Sequence, residues 1–206
     1  MPKKAVIYDL DNTIYPVSSI GDKLFGPVFD FIEKSGQHNE KLDEIKQAMM
    51  RTPFRLVAKR HNFSDELTQK AIQLQEATDY TGEIKHFDDY PEVRNIPGER
   101  FLVTTGFESM QRSKIRQMGI ADDFKEIHVV DPTKTSKQEV FKGILERYNY
   151  RPDEVLVVGD DPESEIAAAN ALGIPTVLYD KHNEMDASSA TYRISHFKDL
   201  AIIFNS

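Results

Sequence analysis

Residues 3–16 read Lys3-Lys4-Ala5-Val6-Ile7-Tyr8-Asp9-Leu10-Asp11-Asn12-Thr13-Ile14-Tyr15-Pro16. Four apolar or aromatic residues, Ala5 to Tyr8, run straight into Asp9 and, two places on, Asp11. A short apolar run of this kind predicts a buried strand, here Lys3 to Leu10. Buried strands do not normally end in two carboxylates, because an unpaired buried charge is costly.

Beyond this stretch the pattern changes twice. From Ser19 to about Thr81 there is no strand signal but repeated helical periodicity. Leu24, Val28, Phe29, Phe31 and Ile32 make one apolar face, Leu42, Ile45, Met49 and Met50 a second, and Leu67, Ala71, Ile72 and Leu74 a third. Ser64-Asp65-Glu66-Leu67 reads as a helix start. Further on, Phe101–Thr104, Ile127–Val130, Val155–Val158 and Thr176–Tyr179 are short β-rich runs separated by helical segments near 109–118, 137–148 and 163–172. Gly119 and Gly173 stand where helix C-termini call for positive φ. Tyr192–Ile194 and His196–Phe204 read as an edge strand and a closing helix. Strands alternating with helices predict an α/β fold, a three-layer Rossmann-like parallel sheet with an all-helical insertion after its first strand.

Composition narrows the chemistry. The 206 residues carry 26 Lys and Arg against 34 Asp and Glu, a net charge of −8, so no nucleic acid or anionic membrane is expected as a partner. The absence of cysteine excludes disulfides, thiol nucleophiles and thiolate metal sites. No apolar stretch is long enough to span a bilayer, and four residues between Lys4 and Asp9 are too few for a signal peptide. A cytoplasmic protein is the expectation. The oligomeric state is not legible.

In an open parallel sheet, ligands bind beyond the carboxyl ends of the strands. Asp9 and Asp11 follow the first strand, Thr104 and Thr105 end Phe101-Leu102-Val103, and Asp160 and Asp161 follow Val155-Leu156-Val157-Val158-Gly159. If these strands are neighbours, four carboxylates and a hydroxyl share one crevice. Crowded carboxylates repel and need a cation, and an all-oxygen donor set suits Mg²⁺. Lys137 or Lys134 could add a positive charge from the turn before the next helix. A carboxylate nucleophile, a metal, a hydroxyl and a lysine together suit phosphoryl transfer.

At these residues the chain resembles the haloacid dehalogenase superfamily, in particular its capped small-molecule phosphatases. The likeness runs through Asp9-Leu10-Asp11-Asn12-Thr13, Val103-Thr104-Thr105-Gly106, a lysine near a helix start, and Gly159-Asp160-Asp161-Pro162-Glu163-Ser164-Glu165, followed by Gly173-Ile174-Pro175. It implies that Asp9 is the nucleophile, that Asp11 is the general acid and then the base, that Thr104 holds a phosphoryl oxygen and that Lys137 balances charge. It further implies Mg²⁺ held by Asp9, the Asp11 carbonyl and Asp160, with Glu165 or Asp161 helping. Thr105, Gly106 and Lys134 become candidate substrate contacts. The helical stretch becomes a cap of residues 19–90 over a core of residues 1–18 and 91–206. The implied substrate is a small phosphorylated metabolite of the nucleotide or sugar-phosphate type.

Some residues depart from the family pattern. Thr105 stands where many members have Asn, and Glu165 replaces the commoner Asp. Lys134-Thr135-Ser136-Lys137 lacks the usual Lys-Pro, but Ser136-x-x-Glu139 resembles a capping box that would put Lys137 in the first helical turn. Tyr90–Arg100, with Pro91 and Pro97, reads as an irregular connection. Arg51, Arg55 and Lys59 are spaced to share one helical face, either solvated or facing an anionic substrate. A dehalogenase would lack the second aspartate. A phosphosugar mutase of the same superfamily keeps every motif, and a phospho-accepting signalling or binding protein shares the Asp, Thr and Lys.

Overall fold

The computed structural model describes residues 2–39, 41–183 and 189–206. β1 (Ala5–Tyr8), β2 (Glu99–Thr105), β3 (Glu126–Val130), β4 (Val155–Gly159), β5 (Thr176–Tyr179) and β6 (Tyr192–Ile194) form a sheet in the order β3-β2-β1-β4-β5-β6. Every pairing is parallel. Tyr8 lies opposite Leu102 on one side and Val158 on the other, so the chain leaves β1, β2 and β4 side by side. The strand order reverses direction between β1 and β4, the place where doubly wound sheets open a crevice.

Burial on both faces explains the continuous apolar runs. Ala5 and Ile7 point into one cluster with Phe101, Val103, Val155 and Val157, where α7 (Lys137–Tyr148) adds Phe141, Ile144 and Leu145. Val6 and Tyr8 point into the other, with Leu102, Leu156 and Val158. There Ile115 of α6 (Glu108–Met118) and Leu200 and Phe204 of α9 (Lys198–Phe204) cover the sheet.

Between β1 and β2 the regular elements are α1 (Gly21–Ser35), α2 (Leu42–Met49), α3 (Phe54–Arg60), α4 (Asp65–Glu76) and α5 (Pro91–Asn95). Leu24, Val28 and Ile32 of α1, Ile45 of α2, Val57 of α3 and Ala71 of α4 are buried in the same cluster as Val6 and Tyr8. The insertion therefore shares a core with one face of the sheet. No helix among the described residues is long and apolar enough to cross a membrane.

Three local readings change. The connection before β2 is not wholly irregular: Pro91 opens the short helix α5, a first-turn position where the missing proline N–H costs nothing. Arg51, Arg55 and Lys59 do not share a helix face, because Arg51 lies in the turn before Pro53, which starts α3. The segment after β4 begins as a π-turn, Pro162–Ile166, and only then becomes α8 (Ala167–Asn170).

Candidate active site

The site grows from the end of β1. Asp9 N still donates to Val158 O at 2.9 Å, so Asp9 is held level with the end of β4. The chain then turns at Asn12, whose φ of 59° is left-handed, a conformation asparagine tolerates. Asn12 Oδ1 accepts from Val17 N, and its Nδ2 donates to Met50 O, which ties this turn to the insertion.

Lys137 is the first residue of α7, as the capping box of Ser136 and Glu139 dictates. Its buried Nζ donates to Asp9 Oδ1 and Glu165 Oε2, both at 2.7 Å. Burial works against the ammonium, but the charges of Asp9 and Glu165 outweigh it and raise the Lys137 pKa. Lys134 lies elsewhere: it pairs with Asp131 at 2.9 Å and is largely exposed. It does not reach Asp9, because only a residue inside the first turn of α7 points at the strand ends.

Asp9, Asp160 and Glu165 are all buried and offer carboxylate oxygens within 4.8 Å of one another. Desolvation raises Asp9 to about 7 despite Lys137, and desolvation together with Glu165 and Asp9 raises Asp160 well above the usual range. Three crowded acids, two of them sharing one lysine, fit a hard divalent cation, which would relieve that cost. Glu165 reaches the group by folding over Gly159: a Cβ there would lie 2.1 Å from Glu165 Oε1, so any larger residue at 159 would force the Glu165 side chain to shift. Glu165 Oε1 also accepts from Asp161 N at 2.7 Å. The Asp161 side chain caps the π-turn, accepting from Glu163 N, and is not in the carboxylate group.

Asp11 points away from that group. Its carboxylate accepts from Tyr15 Oη at 2.6 Å, Lys114 Nζ at 2.8 Å and Gln111 Nε2 at 2.8 Å. Burial alone would raise its pKa, but Lys114 and these hydrogen bonds bring it below the ordinary value. Gln111 Nε2 also donates to Thr104 Oγ1 at 2.6 Å, which leaves the Thr104 proton free to donate elsewhere. The sequence alone does not single out Lys114, Gln111 or Tyr15. In Glu108–Met118 the lysine and glutamine look like a solvated helix face, and nothing local reveals a partner a hundred residues away.

A cavity of about 410 Å³ opens above these groups, lined by Asp9, Asp11, Thr104, Thr105, Gly106, Lys137 and Asp160 from the sheet side. Gly106 N is already committed to Val130 O at 3.1 Å, so it contributes space and not a donor. Its φ of 154° favours glycine, and so does Gln111, whose side chain comes within 3.0 Å of where a Cβ would sit. From the insertion, Phe25, Met49, Met50, Phe54, Arg51 and Arg55 complete the lining. Arg51 Nη1 lies 3.3 Å from Asp160 Oδ2.

Comparison with known proteins bears on the family and the fold. The family model of the haloacid dehalogenase-like hydrolases matches residues 6–179. The chain is 26% identical to the ribulose-1,5-bisphosphate 5-phosphatase of Halopiger xanaduensis, covering 92% of this chain and 90% of that one. It is 24% identical to the glyceraldehyde 3-phosphate phosphatase of Pyrococcus furiosus, covering 92% and 86%. A crystal structure of the HAD-hydrolase YfnB of Bacillus subtilis bound to magnesium superposes with a TM-score of 0.68 at 19% identity, over 100% of both chains.

Proposed function

This chain belongs to the haloacid dehalogenase-like hydrolases, and on that premise we propose that it is a Mg²⁺-dependent phosphomonoesterase of a small phosphorylated metabolite, of the sugar-phosphate or nucleotide type. One observation carries the reading: a buried aspartate at the end of the central strand, held by one lysine and crowded by two further acids, facing a cavity of about 410 Å³.

Asp9 Oδ1 is held by Lys137, while Oδ2 accepts no hydrogen bond from a described residue and is the oxygen that attacks phosphorus. The ester oxygen leaves and takes a proton from Asp11, and an aspartyl phosphate remains. Asp11, ionised again, removes a proton from the water that attacks this phosphorus, releasing inorganic phosphate and restoring Asp9. Lys114, Gln111 and Tyr15 favour the ionised form of Asp11, which is the form the second step needs. Thr104 donates its free proton to a phosphoryl oxygen. Asp9, Asp160 and Glu165 would hold Mg²⁺, which when bound neutralises charge on the transferring group. The insertion acts as a cap in this reading, since its residues form one wall of the cavity.

Turnover of para-nitrophenyl phosphate by the purified protein tests this directly. Hydrolysis that requires Mg²⁺ and disappears in Asp9→Asn supports the enzyme. Stable phosphorylation without turnover would point instead to a phospho-accepting signalling protein.

A further inference from the structure

We propose that Arg51 and Arg55 form a second anion site on the insertion side of the cavity, so that the substrate is a phosphomonoester carrying a further anionic oxygen group. The proposal rests on the phosphatase reading and narrows its substrate class.

The argument is one of uncommitted charge. Four cationic side chains line the cavity: Lys114, Lys137, Arg51 and Arg55. Lys137 is spent on Asp9 and Glu165, and Lys114 on Asp11. Lys134, which does not line the cavity, is paired with Asp131. Arg55 forms no hydrogen bond or ion pair with any described residue. Arg51 has one contact, 3.3 Å to Asp160, on a side chain that is 55% exposed. Such a pair is worth little as a structural tie, yet it shows that a guanidinium from the insertion reaches the phosphoryl end of the cavity.

The placement is fixed by the chain. Pro53 sets the start of α3, and Phe54 anchors that first turn in the core at 5% exposure, so Arg55 leaves from a held backbone. Arg51 and Arg55 thus join the lining from the insertion, which also contributes apolar Met49, Met50 and Phe25. Glu76 is the one acid that the insertion adds to the described lining, leaving its part of the lining with a net positive charge. A single phosphoryl group already has the Thr104 hydroxyl as its donor. The two arginines offer planar, bidentate donors suited to a second phosphate or a carboxylate, while the apolar side chains accept the carbon chain between. Lys59 does not line the cavity and has no part in this.

The test uses matched substrates with Mg²⁺ present: propane-1,3-diol monophosphate, the corresponding bisphosphate, and 3-(phosphonooxy)propanoate. The wild type is expected to favour one or both anion-tailed esters over the hydroxyl-tailed one by roughly ten-fold or more in kcat/KM, the scale of a charge-assisted hydrogen bond. The bisphosphate and carboxylate arms identify which anion is taken. In Arg55→Gln, and separately in Arg51→Gln, that ratio is expected to collapse toward one. Calorimetric titration of the same compounds into Asp9→Asn and Asp9→Asn/Arg55→Gln reads the preference as affinity, without turnover. A ratio near one in the wild type, or a ratio unmoved by Arg55→Gln, overturns the proposal. Absence of any wild-type turnover of para-nitrophenyl phosphate would instead overturn the phosphatase reading.

Discussion

Lys137 shows what a single side chain does in this site. It is buried with two carboxylates, and its removal in Lys137→Met leaves Asp9 and Glu165 uncompensated. Thermal or urea unfolding of the metal-free variant should show a loss of about 3–5 kcal/mol, the cost of breaking a buried pair. Asp11 gives a pH prediction. Its pKa is lowered because Lys114, Tyr15 and Gln111 overcome the effect of burial. Taking away Lys114 raises that pKa, so the base form appears only at higher pH. In Lys114→Met the acid limb of the kcat profile should move upward, kcat should fall by about 10²-fold or more, and Lys114→Arg should restore part of both. An unmoved acid limb would remove Lys114 from the mechanism. Asp9, Asp160 and Lys137 were legible because each follows a strand or opens a helix. Lys114 and Gln111 were not, because a polar helix face looks the same whether it meets water or a distant carboxylate.

Among the elements, strand identities and most boundaries were legible from apolar runs, and α7 follows its capping box to the residue. The strand order was not, since periodicity carries no information on which strand neighbours which. Nor was the π-turn after β4, because Pro162–Ile166 has the composition of an ordinary helix start. That turn matters: it swings Glu165 over Gly159 and into contact with Lys137. Gly159→Ala should therefore displace Glu165, costing about 1–3 kcal/mol in denaturant unfolding and weakening Mg²⁺ binding by calorimetry. Shortening the side chain in Gly159→Ala/Glu165→Asp should recover part of the stability. Equal stability of Gly159→Ala and the parent would show that Glu165 has another place to go.

For the molecule as a whole, charge at the crevice and stability are linked. Asp9, raised to about 7, and Asp160, raised well above its usual range, hold protons more tightly in the metal-free fold than in the unfolded chain. Their ionisation thus costs stability as pH climbs from the ordinary carboxylate range through about 7. A bound dication favours the ionised acids, so the Mg²⁺-induced rise in Tm should be small near pH 5 and larger at about pH 8. A rise independent of pH would mean that these acids do not bind the ion. A second linkage is mechanical. Asp89, buried where the insertion returns to the sheet, accepts from Tyr179 Oη at 3.0 Å, Lys181 Nζ at 3.0 Å and Phe197 N at 2.9 Å. These bonds tie the end of the insertion to β5 and to the turn before α9. No motif marks Asp89 in the sequence, because its partners lie 90 to 108 residues further on.

The most direct measurement is to look for the phosphoryl group on the chain. Asp11→Asn, incubated with Mg²⁺ and para-nitrophenyl phosphate, should still be phosphorylated, because that leaving group needs no proton, but should lose the group slowly. After acid quenching, peptide mass spectrometry should find one phosphoryl group on the peptide that carries Asp9, and none in Asp9→Asn. Phosphate released by the wild type with no phosphorylated peptide in Asp11→Asn, or with the group on another residue, would contradict the account.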